Sequence, residues 1–434
     1  MTAQYNFPPI SVFCGASNHA TTMPENEGHV ACIQNFGKIL AENGIPLVWG
    51  AGETGMMGAV SRSVLDHGGE AIGVSTHHLL YGREGVQPDV TTLLVADDMQ
   101  VRKLAFAKLS CAFTIFPGGA GTADEAYEYL VEREYGEHEK PLVVVNFKGY
   151  FEPFLKDFKR AVADGFVVPE MEKSLIVVDS ETEILPALEA YFKDHPDLLE
   201  MSKSSNPDKF KELFDDEIAM GPSALGDSRT VTLKDAMIPL EMVGPQKLAR
   251  SVALWTAGVE NSLEMTELKE GLEKLVHCLG KDRYRIIHSG QNKGLKGMVS
   301  SLIAENEYSG IGVASKHMAK DGGLAEGLKY LLVRRNEQSV DFTVKALTGM
   351  FVITPGGVDV REKLFEFLTE VDIKEHDKPI LLWNHEGCYD DLLKYLHYLY
   401  ERGYMNVRAL RKVKVVHSVN EIMNEVHEHL PITW

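Results

Sequence analysis

Six short apolar runs punctuate the first part of the chain, at residues 10–14, 46–49, 71–74, 112–116, 142–145 and 175–178, each four or five residues long. They are too short for ordinary helices, and the stretches between them carry apolar positions at helical spacing. Short buried strands alternating with amphipathic helices predict βαβ units, and hence an α/β fold with a doubly wound, Rossmann-like parallel sheet. Ligands of such sheets sit beyond the carboxyl ends of the strands, where glycine-rich turns lead into helices. Three turns have that composition: Cys14-Gly15-Ala16-Ser17, residues 50–58 and residues 117–125.

The pattern then repeats. His138, Lys140, Pro141, Asn146, Gly149, Leu155, Gly165, Ser180 and Glu183 return as His376, Lys378, Pro379, Asn384, Gly387, Leu393, Gly403, Ser418 and Glu421 at one constant offset, and Pro117-Gly118-Gly119 returns as Pro355-Gly356-Gly357 at the same offset. Gly55 and Gly58 return as Gly294 and Gly297 with one residue of slippage. Self-similarity on this scale predicts two tandem domains of the same fold, residues 1–192 and 251–434. The stretch between them, 193–250, reads as a linker: Ser202-Lys203-Ser204-Ser205-Asn206-Pro207 and Met220-Gly221-Pro222-Ser223 interrupt any period, and one short helix is expected at 208–217.

Composition narrows the partners. With 44% hydrophobic and 25% charged residues the chain is ordinarily globular, and no apolar run approaches the 18 or so residues of a membrane span, so no membrane partner is expected. The 63 acidic residues outweigh 44 basic ones, giving a formal net charge of −19 with no basic run, which speaks against nucleic acid as a partner. A small anion is compatible with that balance, because local N–H groups and a few cations can hold it against the global field. The first residues lack the basic and apolar regions of a secretory signal, and the five cysteines are odd in number and never spaced as CxxC. A cytoplasmic protein without a disulfide framework or a metal is the expectation; the adjacent His77 and His78 read as a solvated or capped pair.

Residues 50–55, Gly-Ala-Gly-Glu-Thr-Gly, match the GxGxxG fingerprint between a strand and a helix. The acid that a dinucleotide needs after the next strand is missing, since 71–74 runs into Ser75-Thr76-His77 and Glu70 stands at the wrong end. A mononucleotide site or a tight packing turn are the other readings. In Phe116-Pro117-Gly118-Gly119-Ala120-Gly121-Thr122-Ala123-Asp124-Glu125, three glycines let the backbone close on a ligand. A helix starting near Thr122 would aim its unpaired N–H groups and positive end at the same spot, which suits a phosphate. The same residues also spell a Thr122–Glu125 capping box. Upstream, Arg102 and Lys103 are either site cations or solvated surface charges, and Glu84 is either a ligand contact or a plain loop residue.

The pairing of MxxRK (Met99 to Lys103) with PGGxGTxxE (Pro117 to Glu125), behind the CGAS turn and GxGxxGxMG, resembles the Lonely Guy family, often mislabelled as lysine decarboxylases. The resemblance covers residues 10–192 fully and 251–430 in degenerate form. It implies a nucleoside 5′-monophosphate phosphoribohydrolase that cleaves AMP or a cytokinin riboside monophosphate to free base and ribose 5-phosphate, with no cofactor. By position it implies that Gly118, Gly119, Ala120, Gly121 and Thr122 hold the 5′-phosphate, that Arg102 and Glu125 are the catalytic pair, and that Lys103, Glu84, Ser17 and Gly52 contribute to substrate binding. The chain departs from the family at Ala51, usually a glycine, and at Val131, a threonine in many members.

In the second copy Asp359 stands at the place of Gly121, Val360 at that of Thr122, Lys363 at that of Glu125, and Val340-Asp341 at that of Arg102-Lys103. Asp359 and Glu362 are expected to form a capping box that repels a phosphate, leaving this copy without polar function. It would then serve as the inert half of an intramolecular pseudo-dimer with one working site, which leaves room for further homo-oligomerisation. The rival reading of the whole chain is a non-catalytic nucleotide-binding or sensing module. Retention of both Arg102 and Glu125 speaks for the enzyme, because a sensor needs only the glycines.

Overall fold

The computed structural model describes residues 5–76, 87, 89–96, 99–203, 250–257, 266–320, 323–334 and 337–430. The first copy builds a seven-stranded, all-parallel sheet from β1 (Ile10–Phe13), β2 (Leu47–Trp49), β3 (Ala71–Thr76), β4 (Thr92–Ala96), β5 (Ala112–Ile115), β6 (Leu142–Val145) and β7 (Leu175–Val178), in the order β4-β3-β2-β1-β5-β6-β7. The second copy repeats it with β8 (Ser251–Trp255), β9 (Arg285–His288), β10 (Gly310–Ser315), β11 (Leu331–Arg334), β12 (Met350–Ile353), β13 (Ile380–Trp383) and β14 (Val413–Val416), in the order β11-β10-β9-β8-β12-β13-β14. The identical orders make the duplication a property of the fold as well as of the sequence.

The six runs of the first copy all become strands. The seventh, β4, is an edge strand that the pattern did not single out: Thr-Leu-Leu-Val-Ala alternates buried and open positions, and Leu93 is 38% exposed. Inner strands such as β1, β5 and β6 are buried at every position, as expected of a parallel sheet covered by helices on both faces. Helix His29–Glu42 shows how those helices dock, burying Cys32, Ile33, Phe36 and Leu40 from one stripe, with the Phe36 ring tilted against Phe116 at 5.4 Å.

The described chain divides into two compact units that follow the two copies except at two short segments. Asp157–Val168, first-copy sequence, belongs to the second unit, and Lys394–Asn406, second-copy sequence, belongs to the first. The expected linker is partly helical, since Pro196–Lys203 forms a helix directly after Ile184–Asp194; the helix expected at 208–217 lies outside the described residues. No helix among the described residues is long and apolar enough to cross a membrane.

Candidate functional site

Strand β1 lies between β2 and β5, so the chain winds away from it in both directions, and the crevice at the carboxyl ends of β1 and β5 is the switch point where such sheets bind ligands. The three glycine-rich turns meet there. Gly15 N–H donates to the Pro117 carbonyl (3.0 Å), Met56 N–H to the Gly15 carbonyl (2.8 Å) and Thr54 Oγ1 to the Ala16 carbonyl (2.9 Å). Tyr150 fastens the third turn by donating its hydroxyl to the Gly118 carbonyl (2.8 Å). A Cβ on Gly118 would stand 2.1 Å from Thr122 Oγ1 and 2.8 Å from Gly15 N, so this closeness requires glycine. The GxGxxG turn follows β2 rather than β1, away from the place of a dinucleotide fingerprint.

Helix Ala120–Glu134 starts two residues earlier than expected, with Gly119 as its N-cap. Thr122 is therefore buried inside the first turn, and the Thr122–Glu125 capping box does not form. Gly119 has no side chain with which to cap, so the N–H groups of Ala120, Gly121 and Thr122 open the helix at the convergence of the turns, a natural seat for an anion.

Arg102, on helix Met99–Leu109, is buried: Nε donates to the Val74 carbonyl (3.1 Å), and the guanidinium lies 5.2 Å over the Phe106 ring. Its Nη2 fills the space that a side chain on Gly50 would need, 2.6 Å from the position of a Cβ. Its Nη1 is 3.8 Å from Glu125 Oε1, while Lys103 Nζ lies 3.1 Å from Glu128 Oε1 and 4.0 Å from Asp124 Oδ2. The reading of Arg102 and Lys103 as solvated surface charges is overturned, because the helix turns both toward the acidic stripe of Ala120–Glu134. A small cavity borders Glu125, lined among others by Phe13, Lys103, Phe106, Phe113 and Tyr129. Burial and then the charge of Glu125 hold the Cys14 thiol well above the usual range, which disfavours the thiolate.

The remaining candidates separate. Ser17 caps the short helix Asn18–Thr22, accepting from Ala20 N–H (3.1 Å) and donating to the Gly403 carbonyl (3.2 Å). Gly52 accepts from Trp49 Nε1 (3.3 Å) and follows Ala51, whose φ of +66° is a conformation glycine adopts without strain. Val131 is half-buried on helix Ala120–Glu134, and Glu84, His77 and His78 lie outside the described residues. Tyr404, which the sequence did not single out, is part of this unit and covers the turns. Its ring would meet a Cβ on Gly15 at 2.5 Å, its carbonyl a Cβ on Gly119 at 2.2 Å, and its hydroxyl donates to Met56 Sδ (3.3 Å). Nothing local marks it; only its offset from Phe166 hints at a repeated role. Among the described residues one group has metal-ligand spacing, Glu267, His385 and Glu386 within 4.8 Å, and none of them belongs to this site.

The family described as "Possible lysine decarboxylase" matches residues 57–188 and 297–426, once in each copy and together more than half of the chain. The chain belongs to this family, the Lonely Guy family. It is 33% identical over 215 residues, 48% of this chain and 86% of that protein, to the probable cytokinin riboside 5′-monophosphate phosphoribohydrolase LOGL2 of Oryza sativa subsp. japonica. It is 34% identical over 168 residues, 39% of this chain and 82% of that protein, to the cytokinin riboside 5′-monophosphate phosphoribohydrolase of Rhodococcoides fascians. Among solved structures, the molybdenum cofactor binding protein of Rippkaea orientalis is similar at 16% identity, covering 44% of this chain and 99% of that chain, with a TM-score of 0.33.

The second Lonely Guy copy keeps the geometry and changes the charges. Helix Val358–Ile373 has Gly357 as its N-cap, so Asp359 is its second residue and the expected capping box with Glu362 does not form. Asp359 instead accepts from Val360 N–H with Oδ1 (2.9 Å) and pairs with Lys296 Nζ through Oδ2 (2.9 Å). Lys363 Nζ contacts Asp341 Oδ2 (2.9 Å), Glu366 Oε2 (2.7 Å) and Glu362 Oε1 (3.3 Å). Burial opposes the charge of Lys363, but these carboxylates more than offset it and hold its pKa well above the usual lysine range. The expected capping box is thus corrected, and the charges of this copy are redistributed into an internally paired cluster.

Proposed function

We propose that the first unit hydrolyses the N-glycosidic bond of a nucleoside 5′-monophosphate of the AMP or cytokinin riboside type, releasing free base and ribose 5-phosphate. The observation that carries this reading is that Glu125, in the first turns of the helix opened by the uncapped turn of Gly118, Gly119, Ala120, Gly121 and Thr122, is met 3.8 Å away by Arg102 from helix Met99–Leu109. Glu125 lies about 7.5 Å along the helix axis from Ala120, at a rise of about 1.5 Å per residue, so a phosphate at the helix start leaves the ribose near the carboxylate.

Cleavage passes through an oxocarbenium-like state. Glu125 stabilises the sugar cation or takes a proton from the attacking water; the water oxygen bonds to C1′, the C1′–N bond breaks, and its electron pair leaves with the base, which picks up a proton. Arg102 offsets the charge growing on the base by hydrogen bonding, since a guanidinium is a poor proton donor. Lys103, held by Glu128 and Asp124, adds positive charge beside the pair. Binding energy from the phosphate orients the ribose, so nucleosides should react poorly.

The second copy, with its helix start occupied by Asp359, serves in this reading as a non-catalytic partner, making an intramolecular pseudo-dimer with one working site. The test is incubation with a panel of 5′-monophosphates and the matching nucleosides, following free base by chromatography. Base released from the nucleotide and not the nucleoside is expected; equal turnover of the two sinks the reading.

A further inference from the structure

The segments that cross between copies are not equivalent. Asp157 opens the first-copy segment that belongs to the second unit, and there it forms a two-pronged ion pair with Arg361: Nε to Oδ2 at 2.8 Å and Nη2 to Oδ1 at 2.9 Å. Both side chains are buried, Arg361 at 1% exposure and Asp157 at 0%. Arg361 also donates to the Gly356 carbonyl and lies 5.1 Å over the Tyr389 ring. At the repeat offset, Tyr395 stands for Asp157 and Ala123 for Arg361. The first unit accordingly has an apolar arrangement, with Tyr395 buried 5.8 Å from Phe154, itself 5.2 Å from Tyr127.

We infer that the Asp157–Arg361 pair selects the partner in this exchange, so that each copy accepts the segment of the unlike copy and rejects that of a like one. Were two first copies to exchange, Asp157 would be buried against Ala123 without the guanidinium. Were two second copies to exchange, Tyr395 would face Arg361 and leave its charge without the carboxylate. A buried charge stripped of its counter-ion is strongly unfavourable, whereas the unlike exchange satisfies both, and such discrimination by penalty is how related surfaces choose partners. Arg402, whose guanidinium donates to the Glu25 carbonyl and to Asn26 Oδ1 (3.2 Å), adds to the preference of the first unit for this segment, since Asp164 stands at its place in the first copy. The backbone contact at the turns does not discriminate. Phe166 sets its carbonyl where a Cβ on Gly357 would be 2.4 Å away, as Tyr404 does at 2.2 Å for Gly119, so either backbone fits either turn.

The inference rests on the paired-copy reading above, and one experiment separates the two. A protease site is placed between residues 203 and 250 of the full chain, the folded protein is cut, and the halves are denatured, refolded together and weighed by native mass spectrometry. The wild type should return almost wholly as the one-to-one complex of unlike halves. With Asp157→Ala and Arg361→Ala combined, unlike pairs should lose much of their excess over the statistical share of about half, with like pairs appearing in their place. The exchanged pair, Asp157→Arg with Arg361→Asp, should restore the unlike complex. If the alanine form does not refold, Asp157→Asn with Arg361→Gln, which removes both charges with a smaller loss of volume, provides the same comparison. Halves that never associate overturn the paired-copy reading and this inference with it. Halves that pair unlike-to-unlike as selectively without the ion pair overturn this inference alone.

Discussion

The turn at 117–125 and its twin at 355–363 share a backbone and differ in where they keep their charges. In both, a Pro-Gly-Gly turn ends in a glycine N-cap, and a helix starts one residue later. In the first, the helix start is left without a side-chain cap, and a buried arginine meets a carboxylate one and a half turns in. In the second, Asp359 occupies a helix N–H, Lys296 neutralises it, and the lysine of the acidic cluster has moved from helix to helix: Lys103 reaches across to Asp124 and Glu128, whereas Lys363 sits among Glu362 and Glu366 and reaches back to Asp341. If the first turn holds a phosphate as proposed, the second shows how such a site is retired without refolding anything, by giving the helix start an anion of its own, which the helix dipole also favours.

The largest effect expected from this contrast is on chemistry. Glu125→Gln should lower base release by about 10²- to 10⁴-fold, the usual range for loss of a general acid or base. The protein should stay folded, because Gly119 and not Glu125 caps the helix start, with a lower melting temperature because the buried Arg102 loses its paired carboxylate. Activity within a few-fold of wild type would place the chemistry elsewhere. Lys363→Glu should restore no activity and should destabilise the second unit by about 3–5 kcal/mol, since it replaces the cation that touches Asp341, Glu362 and Glu366 with a fourth carboxylate. Denaturant melts of that variant check it; unchanged stability would mean the cluster is not paired as described.

Gly118→Ala and Gly356→Ala form a matched pair. A Cβ on the first meets Thr122 Oγ1 at 2.1 Å and one on the second meets Val360 Cγ2 at 2.2 Å, so each should cost about 1–3 kcal/mol from overpacking. Only Gly118→Ala should also lower turnover. Loss of turnover from both at equal stability would make the second turn a participant in the reaction.

The smallest effect is on acid stability. Burial is the chief cause that lowers His29 and His138 in the first unit, and His288 and His376 in the second, to about 4. Histidines depressed in the folded state contribute stability above pH 6.5 and lose it as the pH falls toward 4. The second unit also holds Asp341 and Glu370, whose carboxyls burial raises above the usual range. Such raised acids return stability as the pH falls, because the folded state then binds more protons than the unfolded. Acidification from pH 6.5 to 4.5 should therefore open the first unit before the second in hydrogen exchange. The opposite order would mean that the cluster around Lys363 does not hold protons.

Much of this was legible in the sequence. The apolar runs gave six of the seven first-copy strands because each is a short run bounded by polar or turn residues, the edge strand β7 included although Val177 is 45% exposed; β4 was not singled out. The three turns were legible because glycines mark close backbone approach. The helix start was misjudged by two residues, and with it both capping boxes, since Thr-x-x-Glu has the same spelling at a cap as within a first turn. Burial of Arg102 was not legible because a lone basic pair looks alike on either face of a helix. Tyr404 and the Asp157–Arg361 pair were out of reach because each joins residues more than 200 positions apart, where no local period carries information.

The central claim is that the chain has one working phosphate turn. The direct measurement is calorimetric titration of the full-length Glu125→Gln variant with AMP, with adenosine as the control. One AMP bound per chain and markedly weaker binding of adenosine are predicted; two AMP per chain would contradict the account, because the helix start held by Asp359 would then have to accept a phosphate.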